Sequence, residues 1–535
     1  MKCLYKLSVI ICLCISGVAV YGQQQDADDC DCDHIIGTDM LFVDGEDLEV
    51  EPGDVVCVMA GERRYLGLRN FKGAEGEPVT IVNCGGKVVV RNSDWHYGIR
   101  IDNSQFFRFT GTGDPYIEYG FHIAEASDDE IVGFNIGGMS SDMEIDHVEI
   151  ENTGFAGLMT KTDPDCEGSP NRGNFVQRNT IIRNNYIHDT GGEGIYVGFP
   201  HYTGIVRDCD GEEVRVFPHD LEGVMIYDNQ LESIKREGIQ VGCAVANCNV
   251  YNNTIKGYGL KNEEWQNAGM HISTGTTGIF RNNFIKDGMG PGVWLNGKGD
   301  NLFYNNIIAD PGTDGFLCHD SLVEEGTGYY IINNTITNCG RDGIHFLNEH
   351  TSTGNEFINN IIGGVKGDFY KVLNTGEFHE TNNVTTPDQR LVYFKDPQAN
   401  DYRLQPFSPG IDEGKDVSHR GIVDDFAYAP RPQGEAYDVG AFESEYERHS
   451  IDFMVYPVPA TDYFHANFIN YEDGYVGLNL YDELGRLVAV IHDGYIEAGV
   501  HDISTSVTVN LAAAVYFLEL RRGDHVRVKR VVVIH

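Results

Sequence analysis

The chain has 535 residues, with 81 Asp and Glu against 39 Lys and Arg and a formal charge of −42. So acidic a surface repels nucleic acid and anionic lipid, and a polyanionic substrate would need local Lys, Arg or bound Ca²⁺ to reverse the field. The length exceeds one compact core, and 63 glycines suit strands and corners that grow by adding units.

The start reads as a secretory signal: Lys2 and Lys6 precede the apolar run Leu7 to Val20, with cleavage expected after Gly22. The acidic cluster Asp28-Asp29-Cys30-Asp31-Cys32-Asp33-His34 holds metal-ligating residue types, although nothing at a chain end fixes their geometry. From about Asp39 to Val90 the sequence reads as a cap and first strands, and strand-like runs continue through Phe106-Phe107-Arg108-Phe109 and Met143 to Ile150.

From Ile181 to Leu347 one pattern recurs about every two dozen residues. A polar pair (Asn184-Asn185, Asp228-Asn229, Asn252-Asn253, Asn282-Asn283, Asn305-Asn306, Asn333-Asn334, Asn359-Asn360) is followed by Gly and alternating residues, as in Gly194-Ile195-Tyr196-Val197 and Gly238-Ile239-Gln240-Val241. A fixed period with two-residue alternation marks a solenoid of strands, and Asn and Gly tolerate the left-handed corners between them. Each repeat is read as one coil of a right-handed parallel β-helix, spanning residues 23–383, with the Asn side chains laddered about 4.8 Å apart. The fold class is all-β. Ten cysteines remain after the signal is removed. Cys57 with Cys84, Cys318 with Cys339 and Cys243 with Cys248 lie about one coil or one turn apart, a spacing that permits pairing, and buried free thiols are an equal alternative.

Insertions between Thr160 and Gln177, Phe199 and Glu222, and Gly257 and Asn267 gather beside the Gly-initiated strand, where they would wall a groove. Within that strand the residue between the two core positions points outward. It runs Met159, Tyr196, Gln240, His271, Trp294, Leu317 and His345 from coil to coil, a column whose aromatic and polar members suit sugar rings. The position before each Gly gives Glu193, Glu237, Ala268, Pro291, Asp314 and Asp342. Glu193 and Glu237 fall on adjacent coils, about 5 Å apart, as nucleophile and acid in a retaining glycosidase would be. They are the catalytic candidates, with His271 as a further base. Tyr196, Gln240, Trp294, His345 and Arg236 are the substrate-binding candidates. A lyase would instead need a base and a cation beside a uronate, for which Tyr196, His271, Lys161, Arg172 and Arg236 are available. Asp163 and Asp165, with Glu167, offer oxygen ligands for Ca²⁺.

Residues 384–449 read as a segment closing the open end of the solenoid and a linker. The segment 450–535 reads as a small β-sandwich, carrying Val455-Tyr456-Pro457-Val458-Pro459, Leu478 to Val488 and Val526 to Val533. These last motifs resemble the C-terminal sorting domain of the type IX secretion system, with Val458 and Ala514 departing from that family's usual Asn and Gly. The resemblance implies the secretion machinery as a partner, export across the outer membrane, and an extracellular or cell-surface location. The central repeats resemble the pectate-lyase-like β-helix superfamily, which holds lyases, epimerases and glycosidases. The expectation is a carbohydrate-active protein, acting as a monomer, that cleaves a polysaccharide as lyase or hydrolase; a non-catalytic glycan-binding adhesin is the alternative.

Overall fold

In a computed structural model of the protein the described residues are 30–446 and 453–534, apart from 129, 348–351, 374–377, 407, 471–472, 498, 507–510 and 524. The expected signal segment, with Asp28 and Asp29, lies outside them. From His34 to Thr386 the chain winds into two parallel sheets of 24 and 12 strands. One coil comprises Val176–Arg183, Tyr186–Thr190 and Ile195–Val197, and the next Asp220–Tyr227, Gln230–Glu232 and Ile239–Val241. The first two strands of each coil join the larger sheet and the third joins the smaller. In the smaller sheet Ile195 pairs with Ile239 and Tyr196 with Gln240, then Gln240 with His271 and His271 with Trp294. Ile195, Val197, Ile239, Val241, Met270 and Ile272 fill the interior, each contributing roughly 1.5–3 kcal/mol through burial.

The two residues of each polar pair divide the work at the corner. The first bends the chain: Asn184, Asp228, Asn252, Asn282, Asn305, Asn333 and Asn359 all hold φ between 53° and 56°, a left-handed conformation that short polar side chains tolerate. The second points inward. From Asn185 through Asn229, Asn253, Asn283, Asn306, Asn334 and Asn360 to Asn383, each side-chain amide donates to the Oδ1 of the next coil at 2.9–3.1 Å. The expected ladder therefore exists, and its continuous column is built from the second residue, with one further rung between the first residues Asn359 and Asn333 at 3.2 Å.

None of the three candidate pairs forms, and for four of their six cysteines the alternative of buried free thiols holds. Cys30 bonds Cys84, Cys32 bonds Cys57 and Cys166 bonds Cys209, while Cys243, Cys248, Cys318 and Cys339 stay free. The N-terminal segment lies along the first coils, with His34–Ile36 paired to Val56–Val58, and so carries two thiols to partners that repeat spacing alone permits to pair with each other. The metal-like cluster thus becomes a stapled edge: Asp33 accepts the Val55 N–H at 2.9 Å and His34 meets Asp54 at 2.9 Å. Burial pushes the thiols of Cys243 and Cys248 up to about 12, which keeps them unreactive.

The closing segment begins against the last coils, where Gln389 and Val392 approach Gly363, and continues along their flank. Its Val392, Phe394, Tyr402 and Val439 pack on Phe284, Ile307, Ala309 and Ile361. Its backbone carbonyls accept the outward amides of Asn282, Asn305, Asn333 and Asn359. Arg431 and Glu443 form an ion pair of 2.6 Å with no side-chain exposure. The guanidinium also donates to Asp424 O, Asn305 Oδ1 and Gly440 O, so its donors are shared with backbone as a buried charge requires. Antiparallel sheets of three and four strands between Phe453 and Val533 enclose a separate core of Phe464, Phe468, Leu478, Leu480 and Leu518.

Candidate active site

The smaller sheet presents its outward column beneath the inserted loops. The first two insertions form one wall: Cys166–Cys209 joins them, and Ile205–Cys209 and Glu212–Val216 make a hairpin. Arg172 stacks over Tyr202 at 3.6 Å and pairs with Asp220 at 3.1 Å. The third insertion brings Trp265 to 5.5 Å from Trp294. Tyr196, Gln240 and His271 consequently retain only 7%, 5% and 6% exposure although they point away from the core.

Glu193 and Glu237 stand at equivalent corners of adjacent coils, because Gly194 N–H donates to Glu237 O and pairing begins at Ile195 and Ile239. Both side chains are buried. The Oε2 atoms of both find no hydrogen-bond partner, a costly state for a buried carboxyl. Burial first, then the Glu237 carboxylate, pushes Glu193 up to about 7, against a smaller opposing pull from Arg236. Arg236 lies 3.8 Å from Glu193 and 3.2 Å from Glu263. His271 Nδ1 is 3.4 Å from Glu237 Oε1, and its ring stacks on Trp294 with centroids 4.0 Å apart and planes 7° from parallel. Tyr196 is hydrogen-bonded to Gln240, and burial raises its hydroxyl well above the usual range, with Glu193 adding to the shift. Lys161 lies 4.9 Å over the Tyr196 ring and pairs with Asp163 at 3.0 Å.

Seven predicted residues, Glu193, Glu237, His271, Tyr196, Gln240, Trp294 and Arg236, therefore share one site. His345 does not: five strand steps separate it from Tyr196, about 24 Å at the interstrand spacing. Nor do Asp163 and Asp165 form one ligand set. Asp163 is held by Lys161, and Asp165 accepts the Gly168 N–H at 2.8 Å within a turn beside the disulfide.

Around His345 lies a second group that the outward column alone did not reveal. Arg341 grips Asp314 through Nε at 2.8 Å and through Nη2, while His345 Nδ1 is 3.7 Å from Asp314 and 3.6 Å from Asp342. The signal was a recurring tripeptide. Arg236-Glu237-Gly238 and Arg341-Asp342-Gly343 each send the arginine back to the acid of the preceding coil. Asp314, Asp342 and His345 each offer a ligand atom within 4.8 Å of the others, but the guanidinium already occupies the Asp314 edge.

Residues 219–383 match the right-handed β-helix region family, and residues 454–534 match the secretion system C-terminal sorting domain. No curated protein matches the chain. Among solved structures the chain is similar to an alginate lyase from Paenibacillus sp. str. FPU-7, with 16% identity, 66% of this chain and 99% of that one covered, and a TM-score of 0.28. It is similar to XylC in complex with xylose, with 12% identity, 88% and 99% covered, and a TM-score of 0.37. It is also similar to a tailspike of Acinetobacter baumannii bacteriophage Fri1, a capsular polysaccharide depolymerase, with 8% identity, 91% and 83% covered, and a TM-score of 0.34. The chain is a right-handed β-helix protein that ends in a secretion-system C-terminal sorting domain.

Proposed function

We propose that the protein is an exported glycoside hydrolase that cleaves a neutral polysaccharide in the groove over the smaller sheet. The observation that carries this reading is the buried pair Glu193 and Glu237, in register on adjacent coils, each with an unpartnered oxygen. Glu193, pushed up to about 7 by burial and the Glu237 carboxylate, is suited to protonate the glycosidic oxygen as the bond to the anomeric carbon breaks. Glu237, about 4.8 Å away by the coil spacing, attacks that carbon from a retaining distance. Water then enters, gives its proton to Glu193 and releases the sugar from Glu237. His271 stands beside Glu237, its Nδ1 3.4 Å from Oε1 without a hydrogen bond, and Trp294 offers a stacking face.

Elimination from a uronate is less well supported. Tyr196 is held in its protonated form and is a poor base. The cations that would neutralise a uronate, Arg236, Lys161 and Arg172, are already paired with Glu263, Asp163 and Asp220. One observation favours a non-catalytic adhesin: the two carboxyls precede the same strand at equivalent corners of successive coils, on one side of the outward column. The sorting domain supports export through the type IX machinery to the outside of the cell or its surface.

The test is incubation of mature protein with neutral and uronate polysaccharides, with and without Ca²⁺, following reducing ends and the ultraviolet absorbance of unsaturated ends together. Reducing ends without absorbance, lost in the Glu193→Gln, Glu237→Gln double variant, are expected. Absorbance rising with reducing ends makes it a lyase, and retained binding with neither signal makes it an adhesin.

A further inference from the structure

Well before the carboxylate pair, the same sheet carries a second concave surface. A cavity of 460 Å³ opens over the first coils, lined by Phe42, Gly67, Trp95, Asp44, Arg69 and Arg100 among others. Phe42, Tyr65 and Trp95 form one aromatic cluster, with centroids 5.0 Å apart for Phe42 with either neighbour and 4.4 Å for Tyr65 with Trp95. Phe42 is 62% exposed, an unusual state for a residue in a strand facing a cavity. Gly67 occupies the outward position of its coil, opposite Phe42 on one side and Arg100 on the other. A Cβ there would lie 2.5 Å from the Phe42 ring, so the missing side chain is what lets that ring lie flat on the sheet.

We propose that this cluster is a glycan-docking platform that takes uncharged sugar rings of the polysaccharide chain whose other part occupies the carboxylate site. The inference deepens the functional reading above and rests on it for the chain's destination. Three observations carry it. The volume falls within the range of small-molecule pockets, and the aromatic faces offer stacking surface that an apolar core has no use for in water. The rim charges cancel, since Arg69 pairs with Asp44 at 2.7 Å and Arg100 with Asp102 at 2.5 Å. Among the described lining residues both cations thus stand beside a carboxylate, and the further Asp47 repels a uronate.

Continuity supplies the third. Trp95 meets Tyr97 edge to face at 5.7 Å. Tyr97 also lines an adjoining cavity of 530 Å³ whose wall includes Met159, Phe155 and Arg236, and Arg236 reaches Glu193. Gly67 and Tyr196 are four strand steps apart along the outward column, about 19 Å, so platform and carboxyls lie along one extended chain.

Affinity electrophoresis of the mature protein through gels containing a soluble β-glucan, a xylan or a galactomannan tests this, with sodium alginate as the charged arm. At least one neutral glycan should retard the wild type and the Glu193→Gln, Glu237→Gln variant alike. Trp95→Ala and Gly67→Val, the latter displacing Phe42, should each weaken that retardation about tenfold. Phe42→Ala removes an exposed ring that the fold does not need, so it keeps the test valid if Trp95→Ala misfolds. Platform variants that bind as the wild type does would overturn the proposal while leaving the carboxylate reading to its reducing-end assay. Retardation by alginate alone, or by none of the glycans, overturns it as well.

Discussion

Replacing Glu193 by Gln keeps the size of the side chain and removes a proton that the folded protein holds up to about 7, where an unfolded carboxyl would release it near 4.5. Between those values the folded state binds more protons than the unfolded one, so stability is fully present below pH 4.5 and declines as pH rises through 7. At 1.36 kcal/mol per pH unit the loss approaches about 3 kcal/mol. Burial is the larger cause and the Glu237 carboxylate the second, so Glu237→Gln should recover part of the loss. Urea unfolding at pH 5 and pH 8, followed by the fluorescence of Trp294 beside His271, measures it. Asp438, also pushed up to about 7 by burial and Glu443, has the same sign but is present in both proteins, so the difference between them isolates Glu193. Parallel pH dependence in wild type and Glu193→Gln would refute the assignment of a retained proton to this carboxyl.

Asn283→Ala should lower stability by roughly 2–4 kcal/mol, because it strips the acceptor from Asn253 and the donor to Asn306 and Val250 O; a urea midpoint within error of the wild type would contradict the ladder's role. Arg431→Met leaves Glu443 buried beside Asp438, so a cost of about 3–5 kcal/mol is expected, read as a lower thermal midpoint. Opening Cys166–Cys209 by the double Ser variant releases a loop with a sequence separation of 43, worth about 4 kcal/mol to the local structure. Limited proteolysis should then cut between residues 161 and 220 where the wild type resists.

The alternation in Gly194 to Val197 and the Asn pairs made the solenoid legible, because both are local rules repeated in every coil. The register that brought Glu193 beside Glu237 followed from the same rules once the intervening insertion was looped out. What the repeat could not carry was anything set by a single event. The path of the N-terminal segment decided that Cys30 and Cys32, rather than neighbours one coil apart, would meet Cys84 and Cys57. The flank path of the closing segment was not legible for a related reason. Its turns carry no period, and the outward Asn282, Asn305 and Asn333 amides that receive it look like any other corner. Asp163 and Asp165 had a composition suited to Ca²⁺, but ligand composition says nothing of a lysine two residues away that claims one of them.

Between side chains the amide ladder runs one way, each Nδ2 donating to the Oδ1 of the next coil toward the C-terminus, and the backbone N–H of the second Asn meets the same Oδ1. Such a column can be cut and rejoined between any two rungs, because each presents the donors its successor accepts. Removing a whole turn of some two dozen residues preserves every contact type, whereas deleting one residue within a turn breaks the column and turns a core side chain outward. Change in chain length among descendants of this protein should therefore come in whole turns or in loops outside the ladder, which lets groove length evolve separately from the fold.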